Sequence, residues 1–295
     1  MMMIQTASHM DCTAALRAYF DGSTAACTAR KLTESVASAA SACCDSLLHA
    51  ESLIQLGLIP KPASNVLRVP HVRQSYNWDC GLACVLMVLK AAGIHSEDLA
   101  SLRAACCTTS IWTVDLAYLL RRSGLAVELM TITLGANPEY ATEVFYKEHL
   151  EEDGSRVEKL FKEASMAGIK VTRKSMGCRE LKDRMLLGST LVIALVDKTR
   201  LAGHSGHIAG QGAGSLGLSM RMMLPPGYTG HYIVVCGYDS ETDRFMLQDP
   251  ASSAQLDSVP TSNLEAARHA YGTDEDLLLV TVPPSFLFGH PLVSL

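Results

Sequence analysis

One cysteine of this 295-residue chain stands where a polar run gives way to an apolar one, in Gln74-Ser75-Tyr76-Asn77-Trp78-Asp79-Cys80-Gly81-Leu82-Ala83-Cys84-Val85-Leu86-Met87-Val88-Leu89-Lys90. From Gly81 to Ala92 the only charge is Lys90, and Gly93 supplies a stop, so the spacing predicts a helix apolar on every side and buried within its domain. Cys80 falls at the mouth of that helix. Unsatisfied backbone N–H groups and the positive end of the helix dipole there lower a thiol pKa and favour the nucleophilic thiolate. A cysteine beside a buried helix can equally be a small apolar side chain, as Cys84 one turn later is expected to be. What lifts Cys80 above that reading is a set of partners.

The partners come from a hairpin. Gly230-His231-Tyr232-Ile233-Val234-Val235-Cys236-Gly237-Tyr238-Asp239 reads as a strand, residues 240–243 as a polar turn, and Arg244-Phe245-Met246-Leu247-Gln248-Asp249-Pro250 as the returning strand. Folding about that turn brings the start of one strand beside the end of the other, so His231 and Asp249 are expected within a few residues' stagger. In a Cys-His-Asp system the histidine deprotonates the thiol or pairs with the thiolate, and the carboxylate fixes its tautomer. Gln74, six positions before Cys80, is near enough for its side-chain amide and the Cys80 backbone N–H to hold an oxyanion. The four together, Cys80, His231, Asp249 and Gln74, are the candidate catalytic set.

The remaining chain supplies the scaffold. Residues 1–60 form an Ala/Ser-rich extension with one short helix near its end, closed by Gly57, Pro60 and Pro62. Residues 61–65 read as a linker and 66–70 as a strand entering the main domain, placed at 66–284. Helices are expected from Ser96 to about Ala105, from Thr113 to Ser123 and over residues 179–187, with a charged helix over 138–167 broken near Asp153-Gly154. Strands are expected at 125–133, 169–172, 190–196 and 277–282, and a helix at 261–271. Residues 197–230 are Gly-rich and aperiodic, an insertion. His204 and His207 within it lack a third ligand and read as loop histidines. Helices first and a mostly antiparallel sheet second make an α+β fold.

Composition narrows the function classes. A net charge of −5 with scattered basic residues argues against nucleic acid or an anionic membrane as partner. No apolar run reaches the length of a membrane span, and no signal-peptide core is present, so a soluble cytoplasmic protein is expected. The Ser-rich extension leaves organelle transit as the alternative. Ten cysteines without a secretory signal are expected to be reduced thiols, and the adjacent pairs Cys43-Cys44 and Cys106-Cys107 are not zinc doublets. No metal or other cofactor is assigned.

Beyond these local readings, the runs Val69-Pro70-His71, Trp78-Asp79-Cys80-Gly81-Leu82-Ala83-Cys84, Gly230-His231-Tyr232-Ile233-Val234-Val235-Cys236-Gly237-Tyr238, Gln248-Asp249-Pro250-Ala251 and Tyr271-Gly272-Thr273-Asp274-Glu275-Asp276 resemble the guanylyl cyclase domain-containing family, closest to its plant-type soluble members. The resemblance covers residues 66–282. It implies a fold similar to the papain-like leader peptidases that process bacteriocins after a double glycine, whose Gln, Cys, His and Asp match Gln74, Cys80, His231 and Asp249. The family name implies cyclisation of GTP, with magnesium or manganese as cofactor. The residues themselves favour a cysteine hydrolase acting on a peptide or related acyl substrate, because no phosphate loop is present and no metal-binding carboxylates stand out. A third reading is an inactive papain-like module that binds a peptide.

Overall fold

The computed structural model describes residues 61–137, 150–201 and 228–282. The chain separates into two compact units, Met1–Leu47 and Leu48–Leu295, and every described residue belongs to the second. The N-terminal extension, His204 and His207, and nearly all of the Gly-rich insertion lie outside the described residues.

The fold is α+β, built on a mixed, mostly antiparallel sheet. In chain order the elements are β1 (Ser64–Val66), α1 (Cys80–Ala91), α2 (Leu99–Cys106), α3 (Thr113–Arg122), β2 (Val127–Thr131), α4 (Leu150–Glu163), β3 (Lys170–Arg173), α5 (Cys178–Leu187), β4 (Thr190–Asp197), α6 (Lys198–Leu201), β5 (Gly230–Asp239), β6 (Arg244–Gln248), β7 (Asp257–Pro260), α7 (Thr261–Arg268) and β8 (Leu277–Thr281). The sheet runs β3-β2-β8-β4-β5-β6-β7, with only β2 and β3 parallel. The late strand β8 is inserted between β2 and β4, so the centre of the sheet closes only when the end of the domain arrives.

Strand alternation divides the core in two. Leu191, Ile193, Leu195, Tyr232, Val234, Leu278 and Val280 face α1 and α3 on one side. Val192, Ala194, Val196, Ile233, Val235, Leu277 and Leu279 face α5 and α7 on the other. Because β4 and β5 are covered on both faces, they read as unbroken apolar runs, and every residue of β4 is buried. Helix α1 has the expected character, with Cys80 through Leu89 all buried. It ends where expected, with Gly93 at φ +76°.

Three local expectations are corrected. Helix α2 begins at Leu99 rather than Ser96, because Asp98 is the cap: its Oδ1 accepts from the Ser101 backbone N–H at 2.7 Å and Ser101 Oγ accepts from the Asp98 N–H at 3.0 Å. Helix α4 runs without a break through Asp153 and Gly154. Asp153 is an inward anchor there, accepting from Trp112 Nε1 at 3.0 Å, from Arg156 Nη2 at 2.9 Å and from Ser110 Oγ. The entering strand occupies Ser64–Val66, two residues earlier than expected and inside the supposed linker, and it pairs with β5 rather than leading directly into the loop.

That pairing sets a steric requirement. β4 pairs with β5 from Gly230 to Val235, and β1 takes over at Gly237, just where a bulge shifts the β5–β6 register. A Cβ on Gly237 would lie 2.4 Å from the Asn65 carbonyl oxygen and 2.8 Å from Val66 Cα, both backbone atoms that cannot rotate away. Gly237→Ala is therefore expected to destabilise the fold by about 1–3 kcal/mol through forced separation of β1 from β5. Equilibrium urea unfolding with an unchanged midpoint would refute this.

Candidate functional site

The site begins with the loop that delivers Cys80. Asp79 occupies the N-cap position of α1, yet its side chain makes no cap hydrogen bond. Its fully buried carboxylate turns back into the loop instead. Oδ1 accepts from the backbone N–H groups of Tyr76 at 2.9 Å and Ser75 at 3.1 Å, and Oδ2 accepts from Arg103 Nη2 at 2.6 Å and Nε at 3.2 Å. Two consequences follow. Residues 75–79 are held in a closed turn, and the first-turn N–H groups beside Cys80 are not covered by a carboxylate. The Arg103 guanidinium balances the Asp79 charge and also lies 4.9 Å from the centre of the Tyr76 ring, which stacks on Trp78 at 5.8 Å.

Next to Cys80, Gly81 brings α1 close to β5. A Cβ at Gly81 would stand 2.9 Å from Leu116 Cδ1 and 3.0 Å from Tyr232 Cδ2. Its absence lets the first turn of α1 reach the start of β5, where His231 sits. Across the β5–β6 ladder Val234 faces Gln248, so Asp249 follows directly and comes level with the beginning of β5. His231 Nε2 and Asp249 Oδ1 are 2.7 Å apart, and Cys80 lies near enough to the same imidazole to help raise its pKa. With Nε2 taken by Asp249, Nδ1 is the ring nitrogen the carboxylate leaves free. Asp249 Oδ1 also accepts from the Ala251 N–H at 2.8 Å, which fixes the carboxylate in its turn.

The electrostatics favour a charged imidazole beside the Asp249 carboxylate. Burial pushes the His231 pKa down, but the hydrogen bonds to Asp249 and Cys80 and their charges outweigh it and raise it to about 9. Burial likewise acts to raise the Asp249 carboxyl, and the bond to His231 and its charge bring it below its ordinary value. Cys84, by contrast, is driven well above the usual thiol range by complete burial, with the Cys80 and Asp249 charges adding to it. Burial pushes Cys236 up to about 12, and Cys106 likewise. All six described cysteines are free.

The structure thus brings Cys80, His231 and Asp249 together. Gln74 joins them through its backbone, its N–H donating to the Pro250 carbonyl at 2.9 Å, which ties the loop to the Asp249 turn. Its side-chain Nε2 donates to Tyr76 O at 2.7 Å, and its Oε1 is buried without a partner. One amide hydrogen is therefore already committed within the loop, and only the second remains for an oxyanion. Sequence reasoning missed Asp79 and Arg103. An aspartate before a helix reads as an ordinary cap, and nothing in the spacing to Arg103 announces a partner. The described residues contain no group of three or more His, Cys, Asp or Glu side chains placed to hold a metal ion. No helix among them is long and apolar enough to cross a membrane.

A family model described as guanylylate cyclase matches residues 69–280, the segment that holds every element of the site, and the chain belongs to this family. It is 46% identical over 228 residues to Guanylyl cyclase 1 of Arabidopsis thaliana, an alignment covering 75% of this chain and 78% of that protein.

Two outcomes are expected. Iodoacetamide at pH 6–7 should modify Cys80 well ahead of Cys84 and Cys236, and His231→Ala should slow Cys80 by about tenfold or more, read by peptide mass mapping; equal rates at Cys80 and Cys84 in the folded protein would remove the activation. The raised His231 pKa means that the protonated imidazole stabilises the fold fully below about pH 6.5, with the contribution fading as the pH rises through about 9. The urea midpoint of the native protein should decline across that window by more than that of a His231→Gln variant.

Proposed function

We propose that the protein is a cysteine hydrolase of papain-like fold, acting on a peptide or related acyl bond. The observation that carries this reading is the 2.7 Å bond between His231 Nε2 and Asp249 Oδ1, with Cys80 near enough to the same imidazole to help raise its pKa. In this reaction the thiol proton rests on His231 Nδ1 and the Cys80 thiolate attacks the acyl carbon. The developing oxyanion is held by the Cys80 N–H and the second Gln74 amide hydrogen. Nδ1 then gives its proton to the departing amine as the carbon–nitrogen bond breaks. Water, deprotonated by the same nitrogen, cleaves the thioester and restores the thiol. Asp249 remains charged throughout and holds the ring.

A second reading is guanylate cyclase, favoured by the family description and by the name of the Arabidopsis relative. It requires GTP with magnesium or manganese, a base for the 3′-hydroxyl and no covalent enzyme intermediate. The two readings ask different things of Cys80. For a hydrolase, Cys80→Ser and Cys80→Ala should each lower turnover of a thiol-directed acyl substrate by roughly 10³-fold or more while the fold survives. For a cyclase, Cys80→Ser should still convert GTP, and a chelator should stop it. Chelator-sensitive cyclic GMP formed by folded Cys80→Ser protein would overturn the hydrolase reading.

A further inference from the structure

Three residues before Gln74, a second histidine makes contacts that the thiol chemistry does not explain. The segment leaving β1 passes the end of β6 at His71, and both of its ring nitrogens are engaged there. Nδ1 lies 3.0 Å from Oε1 of Gln248, the last residue of β6, and Nε2 lies 3.2 Å from the Ser252 carbonyl oxygen. Gln248 and Ser252 bracket Asp249, whose carboxylate holds His231. One imidazole therefore grips the Asp249 turn on both sides, and it belongs to the stretch of chain that continues into the Gln74–Cys80 loop.

The buried Gln248 amide fixes the direction of these bonds. Its Nε2 donates to the Gln255 carbonyl at 2.5 Å and to the Val69 carbonyl at 3.2 Å. A reversed amide would turn its oxygen onto two carbonyl oxygens, so Oε1 is the atom that faces His71 and accepts from Nδ1–H. The Ser252 carbonyl also can only accept. With an acceptor at each end, the ring completes both bonds as the imidazolium, and a neutral ring completes one. The turn is tight in itself: the Ser252 N–H donates to the Asp249 carbonyl at 3.0 Å and the Ala251 N–H to Asp249 Oδ1 at 2.8 Å. The Gln74 N–H bond to the Pro250 carbonyl joins this turn to the Cys80 loop through the backbone, and His71 joins it through a side chain.

We propose that His71 is a positioning residue of this site, holding the Asp249 turn in register with the Cys80 loop so that the carboxylate meets His231 Nε2. It acts through Asp249 and not on a substrate. The 2.7 Å bond from Asp249 is one of the interactions that raise the His231 pKa to about 9, so a turn that slackens lets that value fall. A displacement of about 1 Å in such a constellation is enough to cost up to about 10²-fold in rate. The consequence for turnover rests on the hydrolase reading, whereas the hold on the His231–Asp249 pair does not.

Three variants of the full chain test this. His71→Leu removes both bonds, His71→Gln sets an amide nitrogen where Nε2 stands and keeps the bond to Ser252, and His71→Asn sets one where Nδ1 stands and keeps the bond to Gln248. The readout is the titration of the His231 ring followed by NMR of carbon-13-labelled histidine, its signal assigned by loss in His231→Gln. In His71→Leu the His231 midpoint should fall by about one unit, a tenfold loss of proton affinity. Each amide variant should fall by less, and the one nearer wild type identifies the bond that carries the hold. If His71→Leu does not fold, a lowered midpoint in either amide variant supports the proposal in its place. A histidine that only stabilises the fold would lower the urea midpoint and leave the His231 titration unmoved, and an unmoved titration in every folded variant would overturn the proposal. Turnover of an acyl substrate by the wild-type protein separates the two readings. Its absence alongside a shifted His231 midpoint would remove the hydrolase and leave His71 in place, and an active wild type with unmoved variants would overturn the role of His71 alone.

Discussion

The close approach of α1 to β5 is the contact on which the rest of the site depends. Helix α1 is buried along nearly its whole length, so its position is set by packing on every side. At its first turn the chain has a glycine, and Leu116 and Tyr232 occupy the space a side chain would take. This allows the helix mouth to meet the beginning of a strand rather than being held off by a side chain. The thiol and the imidazole are consequently presented by two rigid elements, with neither on a free loop.

Around that contact the charges are arranged to leave the helix N-terminus open. Asp79 is the residue best placed to cap α1, and a capping carboxylate there would occupy the N–H groups at the helix mouth beside Cys80. Its two oxygens are instead spent on Ser75, Tyr76 and Arg103. The same pair fixes the loop that carries Gln74. Breaking it from the Arg103 side would leave a fully buried carboxylate without its counter-charge, a far larger penalty than loss of an exposed ion pair. Loop geometry and site electrostatics thus share one interaction.

The sheet gathers the polar residues at one end. β5 starts there, β6 finishes there, β8 starts there and β2 finishes there, because these neighbours are antiparallel. His231, Asp249, Asp276 and Thr131 are all terminal to long apolar strands, where the backbone leaves the core and polar side chains are tolerated. The two-sided burial of β4 and β5 provides the rigidity behind them.

What could be read from sequence was what local pattern controls. The apolar run after Cys80 announced a buried helix, and the strand-turn-strand pattern of residues 230–250 put His231 near Asp249, because a hairpin's geometry follows from its turn. The α+β class was legible for the same reason. The Asp153-Gly154 break was misread because composition does not reveal which way a polar side chain points, and Asp153 points inward to Ser110 and Trp112. The roles of Asp79 and Arg103 are a relation between residues distant in sequence. Asp79 looks like a cap until Arg103 arrives from the next helix. Local propensity names the element a residue starts or ends, but charge balance in a buried place depends on what the rest of the chain brings beside it, and only the tertiary structure decides that.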